Sequence, residues 1–319
     1  MVNKIVFLGT PGFAVPTLRA LASDSRIEVA AVITQPDRPS GRGQKLTAPP
    51  VKLAAQEARL PVYQFRRIRN NPEALAVLQE VQPTACVVVA FGQILPAEFF
   101  DAPPFGTLNV HASVLPAYRG AAPIVHAILN GDRQTGVTIM KIDEGMDTGD
   151  ILSVRWTPIP PDATAGELEM VLAEQGARLL LPTLNDFITG TLQATPQRGE
   201  FATYAPRIMK EDGRIDWNRT AFEVHNRIRA MNPWPGAVTS WRDGELKIWR
   251  ASLALSDGAG AAPGTVIGFE PDGLEVQCGS GTVRLLELQV PNHKRVGARD
   301  FINGTRIRPG EILGPSAAD

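Results

Sequence analysis

Apolar residues follow two alternating patterns along the first half of the chain. Short continuous apolar runs predict buried β-strands, at residues 4–8, 29–34 and 85–90. Between these runs, apolar residues at helical spacing predict amphipathic helices, at residues 13–21, 51–59 and 72–81. Strands that alternate with helices in this way build a parallel sheet with helices on both faces. We therefore predict an α/β fold with a doubly wound, mostly parallel sheet.

The pattern changes in the second half of the chain. Residues 164–188 predict one long helix, in which Thr164 and Glu167 occupy the positions of a capping box. The residues after it are polar and interrupted by prolines, which is typical of a linker. Five short strand-like runs separated by Gly- and Asp-rich turns then predict a small β-barrel of the oligonucleotide-binding (OB) type. The predicted segments are an α/β domain at 1–189, a linker at 190–206 and an OB-like domain at 207–319.

The composition adds limits on compartment and partners. The 319 residues are enough for two domains, and the net charge of −1 gives no overall field that attracts nucleic acid. The start of the chain does not read as a signal segment, and no apolar run approaches membrane-spanning length, so we expect a cytoplasmic protein. Cys86 and Cys278 lie in apolar runs and are predicted to be core residues, without disulfide or metal spacing.

The first strand ends at Gly9 in a turn before a helix, as in nucleotide-binding folds. The dinucleotide fingerprint is incomplete, because Pro11 and Ala14 occupy the positions of its second and third glycines. The second strand is also followed by Gln35 where that fingerprint has an acid. We therefore interpret this segment as a tight strand-to-helix turn and expect no NAD site.

An amide, an imidazole and a carboxylate lie close together in the middle of the chain. If residues 107–111 form a strand, Asn109 and His111 are two apart and share one face. Pro116 ends the ladder, which places His111 at the carboxyl end of that strand. An amide can donate to an oxyanion and an imidazole can pass a proton, while Asp147, flanked by glycines, is the best candidate to orient the ring. Spacing alone leaves three other acids open for that role: Asp143, Glu144 and Asp150.

These residues form a motif that resembles a known family. The sequence Asn109-x-His111-x-Ser113-Val114-Leu115-Pro116, followed by Asp147-x-Gly149, is similar to the signature of the folate-dependent formyltransferases. Val114 stands where the family usually has Leu, a change between aliphatic residues that alters little. The resemblance implies transfer of a formyl group from 10-formyltetrahydrofolate to an amine, with Asn109, His111 and Asp147 as the catalytic residues and no metal.

The same resemblance indicates a folate site. The loop after the third predicted strand is apolar and contains a glycine, which suits a flat heterocycle that bonds to the main chain, although a plain turn would look the same. The family uses this loop for the pterin ring. The implied folate-binding residues are Phe91, Gly92, Gln93, Ile94, Leu95, Ser113, Val114, Leu115 and Pro116.

Residues 35–50 form a Pro- and Gly-rich basic segment that carries Arg38, Arg42 and Lys45. Mobile basic loops are commonly just solvated. Family members that act on methionyl-tRNA, however, have a similar long basic insertion at this place that enters the acceptor arm. The resemblance therefore implies that these three residues contact tRNA.

The predicted OB-like domain supports the same substrate. The methionyl-tRNA enzymes of the family have such a domain, and residues 233–237 resemble their motif. Basic residues of this domain are candidates for contact with a phosphate backbone, namely Arg207, Lys210, Lys294 and Arg295. The implied substrate is methionyl initiator tRNA, and we expect a monomer. Two alternatives stay open: a related enzyme that acts on formyl-folate with another acceptor, such as a nucleotide-linked amino sugar or water, and a non-catalytic RNA-binding module.

Overall fold

The computed structural model describes residues 2–40, 43–254 and 260–314. The chain divides into two compact units. The first comprises Met1–Gly120, Thr135–Thr157 and Glu169–Tyr204, and the second Ala121–Gln134, Pro158–Leu168 and Ala205–Asp319. The second unit thus includes two segments that precede residue 169, in addition to the C-terminal part of the chain. The domain bounds 1–189, 190–206 and 207–319 stay predictions.

The described residues form β-strands, α-helices and short 3-10 helices. The strands are β1 (Asn3–Gly9), β2 (Ile27–Thr34), β3 (Arg38–Ser40), β4 (Lys45–Thr47), β5 (Val62–Gln64), β6 (Ala85–Val89), β7 (Thr107–His111), β8 (Arg119–Gly120), β9 (Gln134–Lys141), β10 (Ile151–Pro158), β11 (Tyr204–Ala205), β12 (Ala237–Trp241), β13 (Gly244–Leu253), β14 (Val266–Glu270), β15 (Gly273–Gln277), β16 (Thr282–Gln289) and β17 (Val296–Gly297). The α-helices are α1 (Val15–Ser23), α2 (Pro50–Glu57), α3 (Pro72–Val81), α4 (Ala97–Phe100), α5 (Pro123–Leu129), α6 (Ala165–Ile188), α7 (Ala221–Ala230) and α8 (Ala298–Thr305). Short 3-10 helices lie at Gly12–Ala14, Gly199–Phe201 and Lys210–Gly213.

Seven strands of the described chain form one sheet, in the order β10-β9-β7-β6-β1-β2-β5. The pairs β1/β2, β1/β6, β2/β5 and β6/β7 are parallel, whereas β7/β9 is antiparallel. The chain builds outward from β1 to β5 and then crosses to β6 on the other side of β1. This reversal is a topological switch point, where ligands bind outside the carboxyl ends of the strands. The predicted doubly wound, mostly parallel sheet is confirmed.

Both faces of this sheet are buried. Every residue of β6 is buried, as expected for a strand covered on both sides by crossover helices. On one face, apolar side chains of the strands pack with those of α3 and α4 in one core cluster. On the other, α6 approaches closely because Gly176 has no side chain: a Cβ there would lie 2.7 Å from Cγ1 of Val110. The start of α6 has the predicted capping box, in which the Thr164 N–H donates to Glu167 Oε2 (2.9 Å).

The second unit contains an antiparallel sheet in the order β12-β13-β16-β15-β14, with β17 paired to β16. The burial of β12 alternates between buried and half-buried residues, so that one face of the strand points into the core. That core also takes side chains from α7 and α8. The predicted small β domain is confirmed, whereas its assignment to the OB type stays a prediction.

Both cysteines and the histidine of α7 are buried. Cys86 and Cys278 are free and lie in the cores, as predicted. Burial raises the pKa of each thiol to about 12. His225 of α7 is also buried, with its Nε2 3.1 Å from an oxygen of Asp162. In the part of the chain that the structure describes, no helix is long and apolar enough to cross a membrane.

Candidate active site

Strand β7 carries Asn109 and His111 to the carboxyl-end side of the parallel sheet. Its neighbours in register are Val88 of β6 and Met140 of β9, both level with Asn109. Val110 points to the opposite face, against α6, so the period of two places Asn109 and His111 together on the other face. Asn109 is half-buried and His111 is buried. The Asn109 and His111 side chains therefore lie on the same face of the sheet, near the carboxyl ends of its parallel strands.

The His111 ring lies between two oxygen atoms. Its Nδ1 is 3.6 Å from Oδ2 of Asp147, and its Nε2 is 3.0 Å from the carbonyl oxygen of Tyr118. A backbone carbonyl only accepts, so Nε2 carries a proton in this arrangement. A ring protonated at both nitrogens therefore donates to Tyr118 and faces the Asp147 carboxylate with a positive charge.

Asp147 lies in a sharply turned loop between β9 and β10. Its backbone is in the left-handed region, with φ +54°, and its Oδ2 accepts a hydrogen bond from the Gly120 N–H (2.8 Å). Gly149 permits the close approach of this loop to β9, because a Cβ there would lie 2.0 Å from the carbonyl oxygen of Lys141. Asp143, one of the competing acids, instead accepts from the Gly145 N–H and the Thr148 hydroxyl. Of the acids in this loop, Asp147 is the one that an ion pair joins to His111.

The segment after β7 is held by buried hydrogen bonds. Ser113 Oγ donates to the carbonyl of Ala117 (2.6 Å), and the Thr138 hydroxyl donates to the carbonyl of Ser113 (2.7 Å). The same Thr138 oxygen accepts from the Leu115 N–H (3.1 Å). Ser113 and Leu115 are buried, whereas Val114 and Pro116 are only half-buried. Of the four folate candidates in this segment, Ser113 and Leu115 thus shape the loop.

The five folate candidates in the loop after β6 also divide into residues that hold the loop and residues that are exposed. Phe91 and Leu95 belong to the core, and the Gln93 side chain bonds to the backbone of Phe65 and Ile68. Gly92 and Ile94 are exposed. A ligand at this loop would therefore meet the Gly92 backbone and the Ile94 side chain, while the other three residues hold the loop in place.

Sequence reasoning missed two residues that hold the Asp147 loop. Arg119 is buried, and its Nε and Nη2 donate to Oε1 of Gln197 (3.1 and 2.7 Å). Gln197 Nε2 donates in turn to the carbonyls of Asp147 (2.8 Å) and Gly149 (2.7 Å). Arg119 follows the recognised motif closely, but Gln197 lies in the polar stretch interpreted as a linker, where no local pattern marks it.

The basic segment 35–50 forms a short antiparallel hairpin of β3 and β4. Arg38 donates to the Gln35 side chain, and Gln35 Nε2 donates to the carbonyls of Phe91 (2.9 Å) and Gly92 (3.3 Å). Lys45 is exposed on β4. Arg42 lies outside the described residues. The hairpin is thus hydrogen-bonded at its base to the loop after β6.

A charged cluster also fixes the base of the hairpin. Lys52 Nζ is 2.8 Å from both carboxylate oxygens of Asp37 and 3.0 Å from Gln64 Oε1. Gln64 Nε2 donates to Asp37 as well (2.8 Å). The Lys52 ammonium and the Gln64 amide lower the pKa of the Asp37 carboxyl. Asp37 therefore anchors the base of the hairpin, while Lys45 stays exposed on β4.

In the second unit, all four candidate basic residues are exposed: Arg207, Lys210, Lys294 and Arg295. Arg295 is paired with Glu287 and lies over the ring of Trp249, 5.2 Å from its centroid. Lys247 lies 5.7 Å from the same centroid. No Phe, Trp or Tyr stands next to Lys294 or Arg295 in the sequence, so this aromatic and cationic cluster appears only in the folded unit.

The structure also bears on metal binding. Within residues 2–40, 43–254 and 260–314, no group of three or more His, Cys, Asp or Glu side chains is arranged to hold a metal ion. The site consists of an amide, an imidazole and a carboxylate at the carboxyl end of a parallel strand. Such a set suits proton transfer and the stabilisation of a developing oxyanion.

Known proteins with similar sequences define the class of this one. Residues 3–184 match the family described as formyl transferase, and residues 207–306 match formyl transferase, C-terminal domain. The chain therefore belongs to the formyl transferase family, as the motif predicted. It is 49% identical over 311 residues to the methionyl-tRNA formyltransferase of Solibacter usitatus, with 98% of each chain covered. It is 47% identical over 316 residues to the protein of the same name from Symbiobacterium thermophilum, covering 99% of this chain and 96% of the other.

Solved structures of lower identity share the fold. WlaRD, a sugar 3N-formyl transferase, has a TM-score of 0.66 at 21% identity, covering 92% of this chain and 100% of its own. The N-formyltransferase from Helicobacter canadensis has a TM-score of 0.63 at 21% identity, covering 89% and 99%. HypX from Aquifex aeolicus, solved in complex with tetrahydrofolic acid, has a TM-score of 0.63 at 17% identity, covering 99% of this chain and 51% of its own. These similarities support the fold.

Proposed function

We propose that this protein transfers the formyl group of 10-formyltetrahydrofolate to the free amino group of methionyl initiator tRNA. The observation that carries the proposal is the placement of His111 between Asp147 and the Tyr118 carbonyl, on the same strand face as Asn109. This site lies in a formyl transferase chain that matches relatives named methionyl-tRNA formyltransferase over nearly its whole length. The product would serve translation initiation.

The reaction proceeds through a tetrahedral intermediate. The amine nitrogen attacks the formyl carbon on N10 of the folate, and the carbonyl electron pair moves to the formyl oxygen. The Asn109 amide donates to this oxyanion, a contact worth about 2 to 4 kcal/mol by analogy with oxyanion-hole donors. The protonated His111 ring, whose Nε2 donates to the Tyr118 carbonyl, stabilises the oxyanion through its positive charge. When the carbon–N10 bond breaks, its electron pair returns to N10, and the products are an N-formyl amide and tetrahydrofolate.

Asp147 has two tasks in this mechanism. Its negative charge, 3.6 Å from Nδ1, stabilises the positive charge of His111. It also accepts the proton that the attacking amine loses, directly or through water, and helps to return it to the departing N10. The Gly120 N–H on Oδ2 fixes the carboxylate, so that one oxygen has a defined position toward the ring.

The folate is proposed to lie along the two loops that follow β6 and β7. The exposed Gly92 backbone offers hydrogen-bonding groups to the pterin ring, and Ile94 offers an apolar contact. Val114 and Pro116 of the second loop complete this surface. Core packing and hydrogen bonds within the two loops support this surface. The residues that make these contacts are Phe91, Gln93, Leu95, Ser113 and Leu115.

A direct transfer assay tests the substrate. The purified protein is incubated with radiolabelled 10-formyltetrahydrofolate and, in separate reactions, with charged initiator tRNA, a nucleotide-linked amino sugar or buffer alone. We expect the label on methionyl-tRNA only. Transfer to the sugar nucleotide, or release of formate into buffer, would assign the site to another acceptor. Binding of tRNA without any transfer would leave an RNA-binding module as the better description.

The hairpin of β3 and β4 is proposed to contact the tRNA through Arg38, Arg42 and Lys45. Lys45→Ala should raise the KM for tRNA several-fold and leave the KM for folate unchanged, because a phosphate contact to a Lys adds salt-dependent affinity. Arg178→Ala is a matched control, since Arg178 is an exposed cation on α6, which covers the opposite face of the sheet. Equal effects of the two variants would contradict the role of the hairpin.

Contacts in the second unit are proposed at Arg207, Lys210, Lys294 and Arg295. Trp249 lies beside Arg295, and an aromatic ring next to cations is typical of single-stranded nucleic acid sites.

The reaction is proposed to occur in the cytoplasm and to need one copy of the chain. Sedimentation of the purified protein at the concentration of the transfer assay measures the oligomeric state, and a dimer would refute the monomer.

A further inference from the structure

Most of the segment 190–206, which the sequence marks as a linker, belongs to the first unit, as far as Tyr204. Thr195 exchanges two backbone hydrogen bonds of 2.8 Å with Ile151, at the start of β10. Thr203 accepts at its carbonyl from the Arg119 N–H (2.8 Å) and at its hydroxyl from the Tyr118 N–H (2.8 Å). The segment therefore joins the strand that follows the Asp147 loop to the segment that follows β7.

Gln197 lies between these two attachments and uses its whole side-chain amide. Its Oε1 accepts two hydrogen bonds from the buried Arg119 guanidinium, at 3.1 and 2.7 Å. Its Nε2 donates to the Asp147 carbonyl at 2.8 Å and to the Gly149 carbonyl at 2.7 Å. Both hydrogens of a side-chain amide and both lone pairs of its oxygen thus have partners. Gln197 itself is half-buried.

The turn that contains Asp147 has an unfavourable backbone conformation. Asp147 has a positive φ, a conformation that a residue with a side chain adopts at a cost. The amide of Gln197 bonds to the turn on both sides of Thr148, while Arg119 is joined directly to Gly120, whose N–H donates to Oδ2 of Asp147. One side chain therefore connects the backbone of Asp147 with the segment that fixes its carboxylate.

We propose that Gln197 is a positioning residue that holds the Asp147 carboxylate against His111. The inference rests on the proposed function, because it concerns the rate of formyl transfer at that site. Gln197 acts through Asp147 and touches neither substrate. The hydrogen-bond donors of its amide are the essential groups, since they are the ones that reach the Asp147 turn.

Gln197→Glu tests the role of those donors at constant size. The new carboxylate still accepts from Arg119, but it cannot donate to the carbonyls of Asp147 and Gly149 and repels them. We expect kcat to fall roughly 10- to 100-fold, as for small misplacements of catalytic groups. The KM values for folate and tRNA should stay within about threefold, because neither substrate loses a contact. Gln193→Glu, the same change at an exposed position of the same segment, should leave both parameters unchanged.

A double-mutant cycle separates positioning from general destabilisation. If Gln197 acts through the Asp147 carboxylate, Gln197→Glu should reduce kcat much less in an Asp147→Asn protein than in the wild type. Equal loss in both backgrounds, or a wild-type kcat in the single variant, would overturn the inference. If Gln197→Glu fails to fold, Gln197→Met replaces it, with the same size and no polar groups.

Hydrogen exchange, measured without substrate, tests the positioning role of Gln197 independently of the formyl-transfer assay. The Gly120 N–H donates to the Asp147 carboxylate, so its hydrogen exchange reports the position of that carboxylate. Exchange at Gly120 should accelerate at least tenfold in Gln197→Glu relative to Gln193→Glu, and unchanged exchange would overturn the inference. A wild-type protein that transfers no formyl group would refute the proposed function, while the exchange measurement would still decide the role of Gln197.

Discussion

Replacement of Asp147 by Asn gives the sharpest test of the proposed chemistry. The change keeps the shape of the side chain, and the Gly120 N–H still has an oxygen to donate to. It removes the negative charge that faces Nδ1 of His111 at 3.6 Å. It also removes the group that takes the proton of the attacking amine. We therefore expect a folded protein with a much lower kcat.

The distance sets the size of the expected effect. Two unit charges 3.6 Å apart interact by about 1 kcal/mol at the dielectric constant of water and about 5 kcal/mol at an effective value of about 20. The pair is largely shielded from solvent, with side-chain exposures of 6% for His111 and 19% for Asp147, which favours the upper part of this range. These energies correspond to a fall in kcat of about 5-fold to about 5,000-fold.

Single-turnover formylation with saturating folate and tRNA measures the chemical step directly. Glu144→Gln is the matched control, because it removes one negative charge from an exposed position three residues away in the same loop. Thermal unfolding and circular dichroism of both variants check the fold. A rate for Asp147→Asn within twofold of the wild type, or an equal loss in Glu144→Gln, would refute the assignment of the charge to Asp147.

Three further predictions follow from the same structure. Asn109→Ala should lower kcat about 10²- to 10³-fold with little change in KM, measured by steady-state formylation, and an unchanged kcat would remove Asn109 from the oxyanion site. Because burial raises the pKa of Cys86 and Cys278 to about 12, native protein at pH 8 should take up no thiol reagent and unfolded protein two equivalents, as mass spectrometry would show. Burial, together with the nearby Arg229, lowers the pKa of His225 below 6.5, so the stability that its neutral form contributes is present above that value and is lost as the pH falls. Unfolding temperatures measured from pH 7.5 to 5 should decline on the acid side, and less so in His225→Gln.

Elements whose cause is local could be predicted from the sequence. The helix Pro72–Val81 begins and ends where its apolar spacing predicts. The strand Thr107–His111 was predicted with the same bounds, and its period of two places Asn109 and His111 together. These features depend on neighbouring residues, so the linear pattern contains them.

Features that depend on distant residues could not be predicted in this way. The antiparallel pairing of β9 with β7 depends on the path of the chain between these two strands, which no local sequence pattern indicates. The strands β3 and β4 are three residues each and lack apolar alternation, so the pattern showed only a basic loop. Gln197 contacts Arg119 and Asp147, which are 78 and 50 residues away in sequence, and only the folded chain brings them together.

The hydrogen bonds of Gln35 have a consequence for exchanging parts between relatives. The side chain joins the first residues of the basic hairpin to the carbonyls of Phe91 and Gly92. A hairpin transplanted onto another scaffold as residues 38–47 alone would carry its basic residues but lack the hydrogen bonds of Gln35. A functional graft would also need Gln35, Asp37, Lys52 and Gln64, and a recipient in which the loop after the strand equivalent to β6 presents two carbonyls in the same positions.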